Sequence, residues 1–276
     1  MYLSKNKVCL FLQLQYPLKN TTMKLIRSKL AYLAIAAFIF LQIPIVIAGN
    51  SSTRHDYVND DLITVSAVTI NNTEELINQK ADSIYESLAL VKDGLSEEVF
   101  EIAYKGYYKL LDQGMANRGD VLTIADFSKA SSQKRLYIIN VEEGKILYYT
   151  LVAHGRNSGL QYANDFSNKP ESFKSSLGFY VTMNTYFGDK GYSLKLKGVE
   201  KGINDRAFDR AIVLHGSDYV SAQFANNKGY LGRSLGCPAV PVKQSAGIIN
   251  TIKNGSVLFI YHPDKKYKEQ STILNS

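Results

Sequence analysis

Arg233-Ser234-Leu235-Gly236-Cys237-Pro238-Ala239-Val240 sets a lone cysteine in a turn that carries serine and glycine. Upstream, Ala211-Ile212-Val213-Leu214 has the length and composition of a buried strand and closes on His215-Gly216. Only one other cysteine exists, Cys9, so the body of the chain cannot form an internal disulfide. A thiol attacks an acyl carbon as thiolate, and a neighbouring imidazolium lowers its pKa and holds the ion pair. The same imidazole can later protonate a leaving amine. A strand-end histidine and a turn cysteine 22 positions later suit that pairing if the fold brings them together. The same residue types also describe a buried structural cysteine and an ordinary strand-end histidine. Gly236 and Cys237 could aim their N–H groups at a developing oxyanion, and Pro238 removes the next donor.

The formal charge of +7 is misleading. Residues 1–48 hold Lys5, Lys7, Lys19, Lys24, Arg27 and Lys29 and no acid. Six of the 32 basic residues therefore lie there, and the remainder carries 26 bases against 25 acids, about +1. A nucleic-acid partner is not expected of a body with no basic excess. Lys24, Arg27 and Lys29 precede the nearly unbroken apolar run Leu30–Ile47, and Val46-Ile47-Ala48 fits a cleavage site before Gly49. Residues 1–48 thus read as a leader, either a cleaved signal peptide or a retained membrane anchor, with the body exported. Met23 is a plausible start, which would place Cys9 outside the translated chain. No lipid-attachment cysteine stands at the cleavage site.

Residues 49–70 read as a polar tether. Asn72 with Glu75 resembles a capping box, and Ile77, Ala81, Ile84, Tyr85 and Leu88 recur at helical spacing until Asp93-Gly94. Ser96 caps a second helix bearing Val99, Phe100, Ala103, Tyr107, Leu110 and Leu111, which makes 71–115 a helical hairpin. Beyond it the period shortens. Strands are expected over 121–124, 135–139, 145–152, 177–182, 192–196, 211–214 and 257–261. A long loop is expected over 155–176 and one helix over 242–253. The fold class is therefore mainly β (α+β), with the hairpin packed against a catalytic domain at 116–264 and a tail at 265–276. No histidine and carboxylate set has metal spacing, so no metal and no cofactor is expected. Gly232-Arg233-Ser234-Leu235-Gly236 mimics the serine-hydrolase elbow, but the only histidine after Ser234, His262, precedes Asp264 and reverses the required order.

The residues His215-Gly216 and Ser234-Leu235-Gly236-Cys237-Pro238-Ala239-Val240 resemble the L,D-transpeptidase catalytic family of bacterial cell-wall enzymes, in its Ser-x-Gly-Cys-Pro-Ala-Val form. Asp126-Phe127-Ser128, His154-Gly155-Arg156-Asn157-Ser158-Gly159, Ser175-Ser176-Leu177-Gly178-Phe179-Tyr180, Tyr192-Ser193-Leu194 and Gly202-Ile203-Asn204-Asp205 join the likeness, which spans about residues 75–262. It implies a β-sandwich catalytic domain that acts on peptidoglycan stem peptides through a cysteine thioester. It also implies Cys237 as nucleophile, His215 as base, the Gly216 carbonyl as the group that orients the ring, and Gly236 and Cys237 N–H as the oxyanion hole. Two positions depart from the family pattern. Leu235 stands where the usual form has a second histidine. Pro238-Ala239 replaces the polar residue after the cysteine, so recognition of a substrate carboxylate must come from elsewhere. Arg233 and Arg156 are the candidates, with Ser234 in the turn and His154 lining the cleft or serving as an alternative base. His262 and His55 read as structural or solvent-facing. Oligomeric state is not legible.

Overall fold

The computed structural model describes residues 61–275, with side chains described from residue 74. The leader and residues 49–60 of the tether lie outside the described residues. The second half of the tether is a correction: a helix, α1, runs Asp61–Leu88. Ile63, Ala67 and Ile70 continue the spacing of Ile77 backwards, so Asn72 is a helix-interior residue rather than a cap. A short 3₁₀ turn (Leu90–Asp93) and Gly94 in the left-handed region reverse the chain. Helix α2, Glu97–Asp112, then starts at Ser96, whose hydroxyl accepts from the Val99 N–H as expected.

Helix α2 buries Val99, Phe100, Ala103, Tyr104, Tyr107 and Leu110 along one face. Each fully buried Phe or Leu contributes about 2–3 kcal/mol. Gly106 allows the close approach: a Cβ there would stand 2.0 Å from Phe179 Cζ on the sheet. The hairpin and the sheet share one apolar core.

Eight strands follow: β1 Val121–Asp126, β2 Leu136–Asn140, β3 Lys145–Thr150, β4 Gly178–Gly188, β5 Gly191–Gly198, β6 Val213–Ser217, β7 Ala239–Pro241 and β8 Val257–Tyr261. They form one sheet in the order β3-β2-β1-β8-β4-β5-β6-β7. Its two ends meet where Ala153, just past β3, exchanges backbone hydrogen bonds with Ala239 of β7 at 2.8 and 3.3 Å. The mainly β architecture expected from the sequence is thus a single sheet curled almost into a barrel. Phe179 and Phe259 stack at 4.2 Å between centroids, with Phe179 against Gly106 of α2.

Three helices complete the fold: α3 Ala222–Lys228, α4 Val242–Ile252 and α5 Lys265–Gln270. The sequence signalled α4 alone. The expected tail at 265–276 is partly ordered: Asp264 caps α5 and Tyr267 is buried against the core. The strand expected at Ala211 starts two residues later, because Ala211 itself sits at φ 52°, outside any strand conformation.

Candidate active site

Register brings the two reactive residues together. His215 of β6 pairs with Ser193 of β5 on one side and Ala239 of β7 on the other. Cys237 lies in the bend two residues before Ala239, and its Sγ reaches the N–H of Val213, two residues before His215 on β6. Both line one cleft of about 520 Å³, with Leu235, Lys190, Arg210 and Tyr219 among its walls.

The cysteine turn is laced to the segment after β3. Ser234 N–H donates to His154 O at 3.0 Å and Arg156 N–H to Ser234 O at 2.8 Å. Ser175 Oγ donates to the Gly236 carbonyl at 3.0 Å and accepts from Gly155 N–H at 3.0 Å. Gly236 holds φ +127°, and a Cβ there would meet Ile212 Cδ1 and Lys174 O, each at 2.9 Å. Only glycine fits without strain. The turn before β6 is pinned as firmly. Asn204 Nδ2 donates to Leu177 O and Phe179 O at 2.9 Å each, and the buried Glu200 accepts from Phe179 N–H at 2.7 Å. Most motifs of the resemblance therefore build the frame around the thiol.

The half-buried Cys237 Sγ accepts from Val213 N–H at 3.5 Å and faces Ala211 O at 3.8 Å as donor. Burial, the largest influence, pushes the thiol pKa up; Val213 N–H and the charges of Arg210 and Lys190 oppose it. Burial likewise pulls the His215 pKa down, aided by the charge of Lys190 and opposed by the Gly216 carbonyl. Both shifts favour the neutral thiol and the neutral imidazole over the expected thiolate–imidazolium pair, because the low-dielectric wall disfavours both charges. His215 Nδ1 lies 3.0 Å from Gly216 O. A carbonyl only accepts, so the proton sits on Nδ1 and Nε2 is the basic nitrogen.

The remaining sequence candidates separate clearly. The Gly236 N–H donates to Ser234 Oγ at 3.1 Å, so it is not free for an oxyanion and its assignment as a hole donor is corrected. Cys237 N–H lies beside its own Sγ, whose pKa it lowers. Ser234 is buried, and its hydroxyl also donates to Cys237 O at 2.6 Å, so its only proton is used within the turn rather than on a ligand. His154 is fully buried between Arg135 Nη2 (2.8 Å from Nδ1) and Gly159 O (3.2 Å from Nε2). Burial and the Arg135 charge hold its pKa at about 3. It neither lines the cleft nor serves as a base. The Arg156 guanidinium stacks 4.4 Å over Phe173, outside the cleft wall. Arg233 does line the cleft, with Nη1 3.4 Å from the carbonyls of Arg156 and Gly159.

Arg210 and Lys190 were not singled out from the sequence. Arg210 follows an irregular turn and Lys190 a hairpin, and neither carries a local signal of its distant neighbour. Among the described residues one carboxylate trio, Asp82, Glu97 and Glu101, gathers its oxygens within 4.8 Å. It belongs to the helical hairpin and arises from two helices, which hid it from spacing rules.

The sequence profile of the L,D-transpeptidase catalytic domain matches residues 91–261, well over half of the chain. The chain belongs to that family. No curated protein matches the chain significantly. Solved structures similar to it include an L,D-transpeptidase from Mycobacterium smegmatis, at 13% identity and a TM-score of 0.32 over 52% of this chain and 59% of that one. An L,D-transpeptidase from Stackebrandtia nassauensis is 13% identical with a TM-score of 0.32 over 60% and 68%. A helical cell shape determining protein from Campylobacter jejuni is 13% identical with a TM-score of 0.34 over 63% and 60%. The chain spans about three fifths of the length of the first of these structures.

Proposed function

We propose that the protein is a murein L,D-transpeptidase, a cysteine acyltransferase that acts on peptidoglycan stem peptides. The observation that carries this reading is the shared cleft of His215 and Cys237, with the imidazole fixed by the Gly216 carbonyl so that Nε2 can take a proton. His215 Nε2 accepts the thiol proton as Cys237 Sγ attacks the carbonyl between the third stem residue and its terminal D-alanine. The tetrahedral oxyanion meets the Cys237 N–H. The protonated imidazole returns its proton to the departing amine, D-alanine leaves and a thioester remains. An acceptor amine then attacks the thioester, His215 takes the amine's proton, and the C–S bond breaks to release Cys237 as thiolate, which takes that proton back from His215. Two half-reactions through one covalent intermediate are the pattern of nucleophilic catalysis. Because burial favours the neutral form of both groups, the proton moves during attack and no stored thiolate is needed. The leader sequence supports export to the periplasm or cell envelope, with either cleavage or retention as a membrane tether.

Hydrolysis of the same thioester would make the protein an L,D-carboxypeptidase. The open, partly polar cleft favours that second reading, since water reaches the thioester as readily as an amine. Leu235, which occupies the place of the family's second histidine, favours a third: a wall-binding protein that keeps the fold. Incubation with a tetrapeptide stem and an amine acceptor, followed by mass analysis, separates them. Cross-linked dimer with loss of D-alanine supports transpeptidation and tripeptide alone supports hydrolysis. Neither product from folded protein that still binds sacculi overturns the enzymatic reading.

A further inference from the structure

We infer that Lys190 is the residue that binds the free terminal carboxylate of the acyl-donor stem, so that it selects acidic, unamidated peptide ends. This rests on the transpeptidase reading for its substrate.

The cleft wall carries three permanent cations, Lys190, Arg210 and Arg233, and one acid, Asp189. Their availability differs. Arg210 is spent: Nη1 donates to Ser167 O and Ser176 Oγ at 2.7 Å each, and Nη2 to Lys174 O at 2.6 Å and Ser172 Oγ at 3.2 Å. Its guanidinium ties the 167–176 loop to the turn before β6 and has little left to offer a ligand. Arg233 leans on two backbone carbonyls and lies 5.8 Å over the Tyr230 ring. Lys190 is exposed and has no hydrogen bond or ion pair with another described side chain.

Its position is set by the backbone. Gly188 of β4 pairs with Gly191 of β5, leaving Asp189-Lys190 as a two-residue turn. Such a turn is among the tightest ways to reverse a strand pair. The hairpin carries Tyr186 on the same side of the sheet as Ser193 and His215, its successive partners across the strands. Lys190 at the tip therefore reaches the cleft from β5's side, opposite the cysteine turn. The ammonium acts on both reactive groups, since its charge holds down the pKa of His215 and of Cys237 alike. A ligand carbonyl over Cys237 has its terminal carboxylate one residue further along, where this is the unpaired cation. The polar residue missing after the cysteine, replaced by Pro238-Ala239, is thereby supplied from a different strand pair.

The test couples a charge on the protein to a charge on the peptide. In full-length Cys237→Ala protein, which cannot turn over, affinity for a tetrapeptide ending in a free carboxylate is compared with its C-terminal amide by calorimetry. The carboxylate should bind about threefold to tenfold more tightly, the range expected for a solvent-accessible ion pair with a ligand. Adding Lys190→Met should abolish the difference by weakening the carboxylate alone, Lys190→Arg should keep it, and Arg233→Met should leave it intact. If Lys190→Met preserves the preference, or if Arg233→Met removes it, the inference is overturned. Turnover by the Cys237-containing protein is read separately. Absent turnover with an intact carboxylate preference would refute the transpeptidase reading and leave Lys190 standing, and turnover without any preference would do the reverse.

Discussion

The chain contains two His-Gly pairs, each just beyond or within a strand, and they have opposite fates. His154-Gly155 is sealed: both ring nitrogens are engaged, by Arg135 and by the Gly159 carbonyl, and its pKa falls to about 3. His215-Gly216 has one nitrogen fixed by its own neighbour's carbonyl and the ring at the wall of a cleft beside the thiol. The dipeptide does not decide which histidine is chemical. What decides is whether a fully buried donor such as Arg135 takes the second nitrogen. One ring is a neutral strut that carries the cysteine turn through the His154 carbonyl, and the other keeps a lone pair for use.

The sharpest way to break this contrast is to remove each ring in turn and measure donor consumption. Cys237→Ala should abolish it. His215→Ala should lower kcat by about 10²–10⁴, the usual range for a lost general acid–base group. The rate of His215-containing enzyme should persist below pH 6.5, because burial keeps the imidazole in its basic form there. His154→Gln should instead change thermal stability and leave the pH profile of kcat where it was. A kcat loss at His154 as large as that at His215, in a folded protein, would erase the distinction drawn between the two.

Gly155→Ala probes the sealed site through packing. Its Cβ would stand 2.6 Å from Phe173 O and 2.9 Å from Gly236 Cα, both backbone atoms that cannot swing aside. A loss of about 1–3 kcal/mol is expected from such overpacking, measured by denaturant unfolding. Activity should fall with it, since the atom being pushed belongs to the cysteine turn.

Much of this was legible in advance, and the reason is periodicity. Strands such as Val257–Tyr261 and the cap at Ser96 follow from local pattern, and so did the pairing of His215 with Cys237 by likeness to a known family. What escaped was long-range. The closure of the sheet through Ala153 and Ala239 joins residues 86 positions apart, with nothing local to mark either. The loss of Gly236 N–H to Ser234 Oγ depends on a turn conformation that only glycine at φ +127° adopts. The bias of the thiol and imidazole towards their neutral forms follows from burial, which sequence spacing does not encode. The helix over 61–70 was missed because Ile63, Thr64, Val65, Val68, Thr69 and Ile70 are β-branched and have low helix propensity.

The sealed histidine also sets a pH dependence. His154 has a folded-state pKa of about 3 against an ordinary value of 6.5. Its folded pKa is depressed, so as pH falls the unfolded chain takes up a proton that the native one refuses. The stability this group supports is present above pH 6.5 and is lost as pH falls from 6.5 towards 3. The loss approaches about 1.4 kcal/mol per pH unit within that window. His215 and His262, both also held down by burial, add in the same direction. Unfolding at pH 7, 6, 5 and 4 should show His154→Gln with a shallower slope than the parent. Equal slopes would mean that the ring between Arg135 and Gly159 protonates without opening the site.

The smallest expected effect comes from Leu235→His, which restores the family's second histidine. Leu235 is 55% exposed and lines the cleft, so the change removes little buried surface. Stability should move by less than about 0.5 kcal/mol. The new ring would have no Arg135-like captor and no burial to depress it, so its proton should come off within about a unit of pH 6.5 by NMR titration. Lys190, Arg210 and Arg233 around the cleft bias it towards the low side of that value. A titration near pH 3 would mean that position 235 swings into cover, and the cleft would then resemble the sealed site. A titration near 6.5 would confirm that access, rather than the His-Gly or His-Cys neighbourhood, is what separates a working imidazole from a strut.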